Sequence, residues 1–112
     1  MLICFADTAT SVGNTDVTAT VNSTATLTCV ATTGGNVRWL RHQQNSTPVT
    51  VFNGMVVNPT FPRIAVSRNQ ESGHSELVIH HVQYNDAGKY SCKATQNNTK
   101  EAVDYFTLTV IG

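Results

Sequence analysis

The sequence predicts an all-β protein built as a sandwich of two sheets, and three observations support this prediction. Residues 24–31 alternate apolar side chains with threonines and place Cys29 on the apolar face, the period-2 pattern of a half-buried strand. Residues 88–94 repeat the alternation, with Cys92 on the apolar face. Between them, Trp39 points to the same side of its segment as the apolar residue two positions before it. Three inward-facing segments of this kind are typical of two sheets closing on one core.

The spacing of these residues resembles one known frame. Cys29 and Trp39 are followed by the run Asp86-Ala87-Gly88-Lys89-Tyr90-Ser91-Cys92. A Cys–Trp–Cys frame with this run is similar to that of the immunoglobulin superfamily, and more narrowly to its V-set or V-like I-set domains. The resemblance covers residues 15–112. It implies a disulfide between Cys29 and Cys92 packed under Trp39, with Tyr90 hydrogen-bonding to backbone just upstream. The alternative, a metal site or reduced thiols, is disfavoured because no other cysteines or histidines cluster with this pair.

The resemblance implies a V-type sandwich in which strands A/A′, B, E and D pack on strands G, F, C and C′. The interval from Cys29 to Cys92 leaves room for C′ and for a C″ segment. The predicted strands are A near 2–5, A′ at 17–21, B at 25–31, C at 36–42, C′ at 49–53, D at 63–68, E at 75–79, F at 88–95 and G at 102–110.

Further positions match the family pattern. Leu77 on strand E is expected in the core with Trp39 and Tyr90. Arg63 at the start of strand D is expected to form an ion pair with Asp86 in the turn before strand F. Residues 102–110 lack the Phe-Gly-x-Gly bulge of antibody and T-cell-receptor variable domains. The resemblance is therefore to an innate or cell-adhesion V domain and not to a chain that pairs as antigen receptors do.

Length and composition restrict the function. The 112 residues are expected to form one domain, with 1–14 as the region of strand A. Net charge is zero and only 12% of residues are charged, against about 25% in typical soluble domains. Nucleic acids and anionic membranes call for a basic protein face, so both are disfavoured as partners. Three glycosylation sequons begin at Asn22, Asn45 and Asn97 and, with the expected disulfide, predict an extracellular protein.

The amino terminus leaves two interpretations open. Residues 1–6 are apolar and represent either the tail of a signal peptide or, the interpretation favoured here, an ordered strand A. Cys4 then has no obvious partner in the chain, so it forms an intermolecular bond, binds a partner outside this sequence, or is a buried free thiol. No apolar run approaches the ~20 residues of a membrane span. Because the chain ends where strand G should end, we expect it to be the ectodomain of a cell-surface protein.

The sequence contains no pattern that indicates catalysis. Its histidines are His42, His74, His80 and His81, and the adjacent pair is expected to point to opposite faces of an extended segment. No pair of acids is spaced for acid–base catalysis, and no serine has the setting of a nucleophile elbow. Lys89, Lys93 and Lys100 are more typical of a solvated face than of a phosphate site. We therefore expect no enzyme activity, no metal and no cofactor.

The alternation of the strands indicates where binding occurs. Leu40 on C, Phe52 on C′ and Tyr105 on G are expected to form an exposed apolar centre, with a rim of His42, Lys93 and Thr95. The simpler alternative is a set of isolated exposed apolar side chains. The sequence thus favours recognition of another protein, with a second copy of the chain as the favoured partner, as in adhesion or in self and allorecognition. The alternative is an innate immune or viral-type receptor or decoy for a non-self ligand or glycan.

Overall fold

A computed structural model of the protein shows nine strands and one short helix among the residues it describes. These residues are 3–4, 12–31, 37–43, 46–69, 74–96 and 100–112. The strands are β1 (Ile3–Cys4), β2 (Val12–Thr20), β3 (Ala25–Ala31), β4 (Val37–His42), β5 (Val49–Phe52), β6 (Ile64–Asn69), β7 (His74–Ile79), β8 (Gly88–Gln96) and β9 (Lys100–Ile111), and a 3₁₀ turn spans Tyr84–Asp86.

The strands form two sheets, which confirms the predicted V-type sandwich. One has the order β1-β3-β7-β6 and the other the order β2-β9-β8-β4-β5. Strands β3, β7 and β6 correspond to B, E and D, whereas β9, β8, β4 and β5 correspond to G, F, C and C′. All pairs are antiparallel except β1 with β3 and β2 with β9.

The position of β2 corrects the expected grouping of strand A′. The strand was placed with B, E and D, but it pairs in parallel with β9 from Val12↔Val103 to Thr20↔Ile111. It therefore covers the edge of the second sheet. Side-chain alternation could not reveal this, because the sheet that an edge strand joins is decided by backbone hydrogen bonds and not by which side chains face inward.

The segment between β5 and β6 occupies the interval in which the sequence left room for a C″ segment. Within residues 53–63 its strand pairing is an isolated bridge between Phe52 and Val57. The segment turns through Gly54, whose φ is 99°, a left-handed conformation that glycine adopts without steric cost. The chain passes from β5 to β6 without adding a strand to either sheet.

The core is organised around the disulfide and the single tryptophan. Cys29 and Cys92 form a disulfide between the sheets, with their Cα atoms 6.6 Å apart. Trp39 is fully buried beside them, and its ring centroid lies 5.4 Å from that of Phe106. Its Nε1 donates a hydrogen bond of 2.9 Å to Oγ of Ser75, so the indole N–H is satisfied across the sandwich by a residue of β7. The other fully buried large side chains include Leu27, Leu77, Ile79, Val51 and Val82.

Tyr90 fixes the lower end of the sandwich, where β7 ends and β8 begins. Its ring is fully buried, and its hydroxyl donates a hydrogen bond of 2.6 Å to the carbonyl of Asp86. Burial raises the pKa of this phenol to about 12. The hydroxyl therefore keeps its proton, and the hydrogen bond, throughout the neutral range.

Arg63 and Asp86 lie next to Tyr90 and form a bidentate ion pair. Nη1 of Arg63 lies 2.7 Å from Oδ2 of Asp86, and Nη2 lies 2.9 Å from Oδ1. The backbone N–H of Gln83 donates a further bond of 2.7 Å to the same carboxylate. Burial alone would raise the pKa of Asp86, but the hydrogen bonds from Arg63 and Gln83 and the charges of Arg63 and Arg41 outweigh it and hold the pKa below its ordinary value. The carboxylate is therefore ionised at neutral pH.

In the amino-terminal region, Ile3–Cys4 forms a short strand that pairs with β3. The Cys4 side chain lies outside the described part of the structure. Among the residues described, no helix has the length and apolar character needed to cross a bilayer.

Candidate functional site

The outward side chains of the five-stranded sheet form the candidate site. Across this sheet Leu40 lies opposite Ser91, and Ser91 lies opposite Tyr105. In the next row His42 lies opposite Lys89. Residues that face each other across neighbouring strands have their Cβ atoms about 5 Å apart, so these rows form one continuous surface. We call the surface formed by Leu40, His42, Lys89, Ser91, Lys93 and Tyr105 the sheet face.

Contacts among these side chains hold Tyr105 in place. The ring centroids of His42 and Tyr105 are 5.7 Å apart, and Nζ of Lys89 lies 4.4 Å from the Tyr105 centroid. Nε2 of His42 is 2.7 Å from Oγ of Ser91, which is buried beneath these groups. An aromatic ring between an imidazole and an ammonium group loses little freedom on binding, because it is already ordered.

The electrostatics of the sheet face follow from its cations. Burial is the largest cause that lowers the pKa of His42, and the positive charges of Lys89 and Lys93 lower it further. The imidazole is therefore neutral at physiological pH and can share a hydrogen with Ser91. Arg38 lies opposite Lys93 on the same side of the sheet, and Asp16 lies at the β2 edge, opposite Thr107.

One predicted member of the site is misplaced. Phe52 was expected at the exposed centre, but it is only 5% exposed and belongs to the core. The pairing of β4 with β5 shifts register between Trp39 and Leu40, and Phe52 lies opposite Trp39. Because β5 ends there, Val51 and Phe52 are both buried although they are consecutive. The expected outward position of Phe52 is therefore wrong.

Four of the predicted binding residues lie on the sheet face. They are half-buried there: Leu40, His42, Lys93 and Tyr105. Thr95 lies in β8, but its side chain is outside the described part, as are Asn45 and Asn97.

Three of the remaining predicted positions lie in turns or bends. Asn22 is exposed, with a φ of 70°, in the turn between β2 and β3. His80 and His81 follow β7 in a bend where His81 has a φ of 52°, so the expected extended segment is wrong.

The turn after β5 contains exposed apolar residues that the sequence analysis missed. Met55 is 79% exposed and Val56 is 63% exposed. Oδ1 of Asn53 accepts hydrogen bonds from their backbone N–H groups at 2.8 and 3.0 Å. The dipeptide Asn53-Gly54 is a turn signal that could have predicted this loop.

A buried carboxylate was missed as well. Asp104 is 0% exposed, lies opposite Cys92 on β9, and has a carboxylate oxygen within 4.8 Å of the sulfurs of Cys29 and Cys92. Both sulfurs are held in the disulfide and so are not thiolates that could bind a metal. Asp104 has the same inward phase as Phe106 and Leu108, a signal that was available in the sequence.

Comparisons with known proteins place this geometry in a family. No curated protein matches the chain at a significant level. The family model of the immunoglobulin V-set domain matches residues 12–111, nearly the whole chain and every strand after β1. Together with the sandwich topology and the disulfide between its sheets, this match shows that the chain belongs to the immunoglobulin superfamily as a V-set domain.

Proposed function

We propose that the protein is an extracellular recognition domain that binds another protein through the sheet face, with a second copy of itself as the partner. V-set domains are typically extracellular, commonly bind proteins and are typically non-enzymatic. The observation that carries the proposal is the fixed position of Tyr105 between His42 and Lys89, in the same row of the sheet as Leu40. Ordered aromatic side chains surrounded by polar groups are the usual energetic centres of protein interfaces.

The outer face of the other sheet offers less. Its described outward side chains are Thr26, Thr28, Ala65, Ser67, Glu76 and Val78, none of which is aromatic. A glycan on Asn22, at the turn into β3, would further hinder contact at the lower end of that sheet. The contrast favours the sheet face as the binding surface.

Charge constrains how two copies would meet. An isologous interface pairs each patch with its symmetric counterpart. Lys89 and Lys93 lie on β8, whereas Asp16 lies on β2, the strand beyond β9. Two copies therefore avoid like-charge contact when the lysines of one face the Asp16 edge of the other. This arrangement fits an adhesion or self-recognition receptor on a cell surface.

Self-association in solution tests the proposal. We expect the wild type to form a dimer in analytical ultracentrifugation and the double variant Leu40→Glu/Tyr105→Glu to be monomeric with a nearly unchanged melting temperature. The matched control Thr26→Glu/Ser67→Glu places two carboxylates on the opposite sheet and should still dimerise. A monomeric wild type would overturn the homophilic part of the proposal. A dimer that survives in the Leu40/Tyr105 variant would overturn the sheet face as the binding surface.

The turn at residues 53–57 favours a second candidate function, a receptor that captures a non-self ligand through its loops. Met55 and Val56 project from a backbone held by Asn53. Under this alternative, Met55→Ser/Val56→Ser abolishes binding to microbial or viral surfaces while Leu40→Glu/Tyr105→Glu retains it. The opposite pattern supports the sheet face.

A further inference from the structure

A histidine lies among the cations of the sheet face and touches its central aromatic ring. His42 is opposite Lys89 across β4 and β8, and Nε2 of its imidazole is 2.7 Å from Oγ of Ser91. The centroid of the imidazole lies 5.7 Å from that of Tyr105, and Nζ of Lys89 lies 4.4 Å from the same Tyr105 ring. The residue on which the proposed interface is centred therefore contacts an imidazole, a group whose ordinary pKa of about 6.5 lies close to physiological pH.

The surroundings of His42 favour its neutral form. The described titratable groups that share this side of the sheet are Arg38 on β4, Lys89 and Lys93 on β8, Tyr105 on β9 and Asp16 on β2. The other strand beside β4 is β5, and its residues Val49–Phe52 include no titratable side chain. Arg41 packs over the ring of the buried Tyr90, on the inner side of the sheet. The anion Asp16 is separated from the lysine strand β8 by β9, so the groups nearest to the imidazole are cations.

Association through the sheet face would remove water from this cluster. In the proposed dimer, a partner that covers Tyr105 also covers the groups that touch its ring, His42 and Lys89. A neutral imidazole bonded to Ser91 is covered at little cost, whereas an imidazolium adds a further positive charge to those of Lys89 and Lys93 in a place with less water. Because an isologous dimer contains two copies of His42, it bears this cost twice.

We infer that His42 is a pH switch of the sheet face: two copies of the protein associate at neutral pH and separate when this histidine is protonated. The inference rests on the proposed function, because it concerns the same surface and the same partner, and it adds the condition under which that surface is active. Such a protein holds its partner at neutral pH and releases it in an acidified compartment.

Thermodynamic linkage gives the sign of the effect. Because association buries His42 more deeply beside the lysines, its pKa is lower in the dimer than in the monomer, and association releases protons. The Kd is then independent of pH above the pKa of His42 in the monomer. Below that pKa the Kd rises as pH falls, by up to about a hundredfold per pH unit when each of the two protomers takes up one proton on dissociation.

A pH series on the wild type tests the inference. Sedimentation equilibrium measures the Kd from about pH 7.5 to about pH 5 at constant ionic strength, and the NMR signal of the His42 Cε1–H in a dilute, monomeric sample measures its pKa. We expect the Kd to rise at least about tenfold over this range, with the rise beginning at the pKa of His42. The emission of the buried Trp39 should stay unchanged, which shows that the protein remains folded.

Matched variants assign the effect to one residue. His42→Gln retains a neutral side chain that can hydrogen-bond, and its dimer should persist at both ends of the range. His80→Gln removes an exposed histidine in the bend after β7, and this variant should dissociate on acidification as the wild type does. Lys89→Gln removes a charge that lowers the pKa of His42, so it should move the onset of dissociation to higher pH.

The outcomes separate this inference from the proposed function. A wild type that is monomeric at neutral pH would overturn both. A dimer whose Kd stays constant while His42 titrates would overturn the switch alone, and so would equal dissociation of the wild type and His42→Gln on acidification.

Discussion

Replacing Arg63 by alanine should lower the free energy of unfolding by about 3 kcal/mol at neutral pH, because it leaves the Asp86 carboxylate buried without its cation. The Asp86 side chain is 7% exposed and that of Arg63 is 36% exposed. Breaking a fully buried ion pair costs roughly 3–5 kcal/mol, and partial access of water places this pair at the lower end of that range. In the variant, Asp86 retains the 2.7 Å bond from the Gln83 N–H.

The reverse substitution should cost less. In Asp86→Ala, the guanidinium of Arg63 retains its hydrogen bonds to the carbonyls of His80 and His81 at 3.3 and 3.0 Å, and it remains in contact with water. We expect a loss of about 2 kcal/mol. Arg63→Lys is the matched control, since it retains the charge but not the bidentate geometry, and it should cost about 1 kcal/mol.

The penalty should depend on pH with a defined sign. The native pKa of Asp86 lies below its ordinary value, so the ion pair contributes stability above the unfolded pKa of about 4, and this contribution is lost as pH falls through the lowered native pKa. In Arg63→Ala, burial is opposed by the Gln83 bond and the charge of Arg41 but no longer by Arg63, so the pKa of Asp86 should rise. The stability difference between wild type and variant should therefore shrink on acidification.

Urea unfolding followed by fluorescence measures these values. Trp39 is the single tryptophan and is fully buried, so its emission reports loss of the core. A loss below about 1 kcal/mol for Arg63→Ala, or one that does not change with pH, would refute the reasoning. So would full additivity of Arg63→Ala and Asp86→Ala in a double-mutant cycle, because additive effects indicate independent sites.

Three further predictions concern the core. Cys29→Ala/Cys92→Ala should cost about 4 kcal/mol, because the disulfide closes a loop across a sequence separation of 63 residues, and an unchanged urea midpoint would contradict this. Tyr90→Phe should cost about 1 kcal/mol through the lost hydrogen bond to Asp86. It should also abolish the part of the alkaline stability loss that begins near the ordinary tyrosine pKa of about 10 and continues as pH rises through the folded pKa of about 12, as measured by urea unfolding across that range. Phe52→Ala should cost about 3–4 kcal/mol in the same assay, whereas a cost below about 0.5 kcal/mol would restore Phe52 to the surface.

The sequence by itself determined which side chains face the core along most strands. Cys29, Trp39, Tyr90 and Cys92 could be assigned to the interior because side chains alternate along a strand, and alternation is a local property of an extended backbone. The same rule applied to β9 would have placed Asp104 inside, and the turn at Asn53 could have been predicted from its dipeptide.

Only the tertiary structure decided which strands are neighbours. The sheet that β2 joins depends on backbone hydrogen bonds to β9, which is about 90 residues away and leaves no mark on the side-chain pattern. Phe52 is buried because its strand shifts register against β4 and then ends. Lys89 lies beside His42 because β8 pairs with β4, and its ammonium lies over the Tyr105 ring because β8 also pairs with β9. These pairings make a lysine that the sequence assigned to a solvated face part of the candidate site. Alternation depends on the local geometry of one segment, whereas neighbours and pockets depend on contacts between segments distant in the chain.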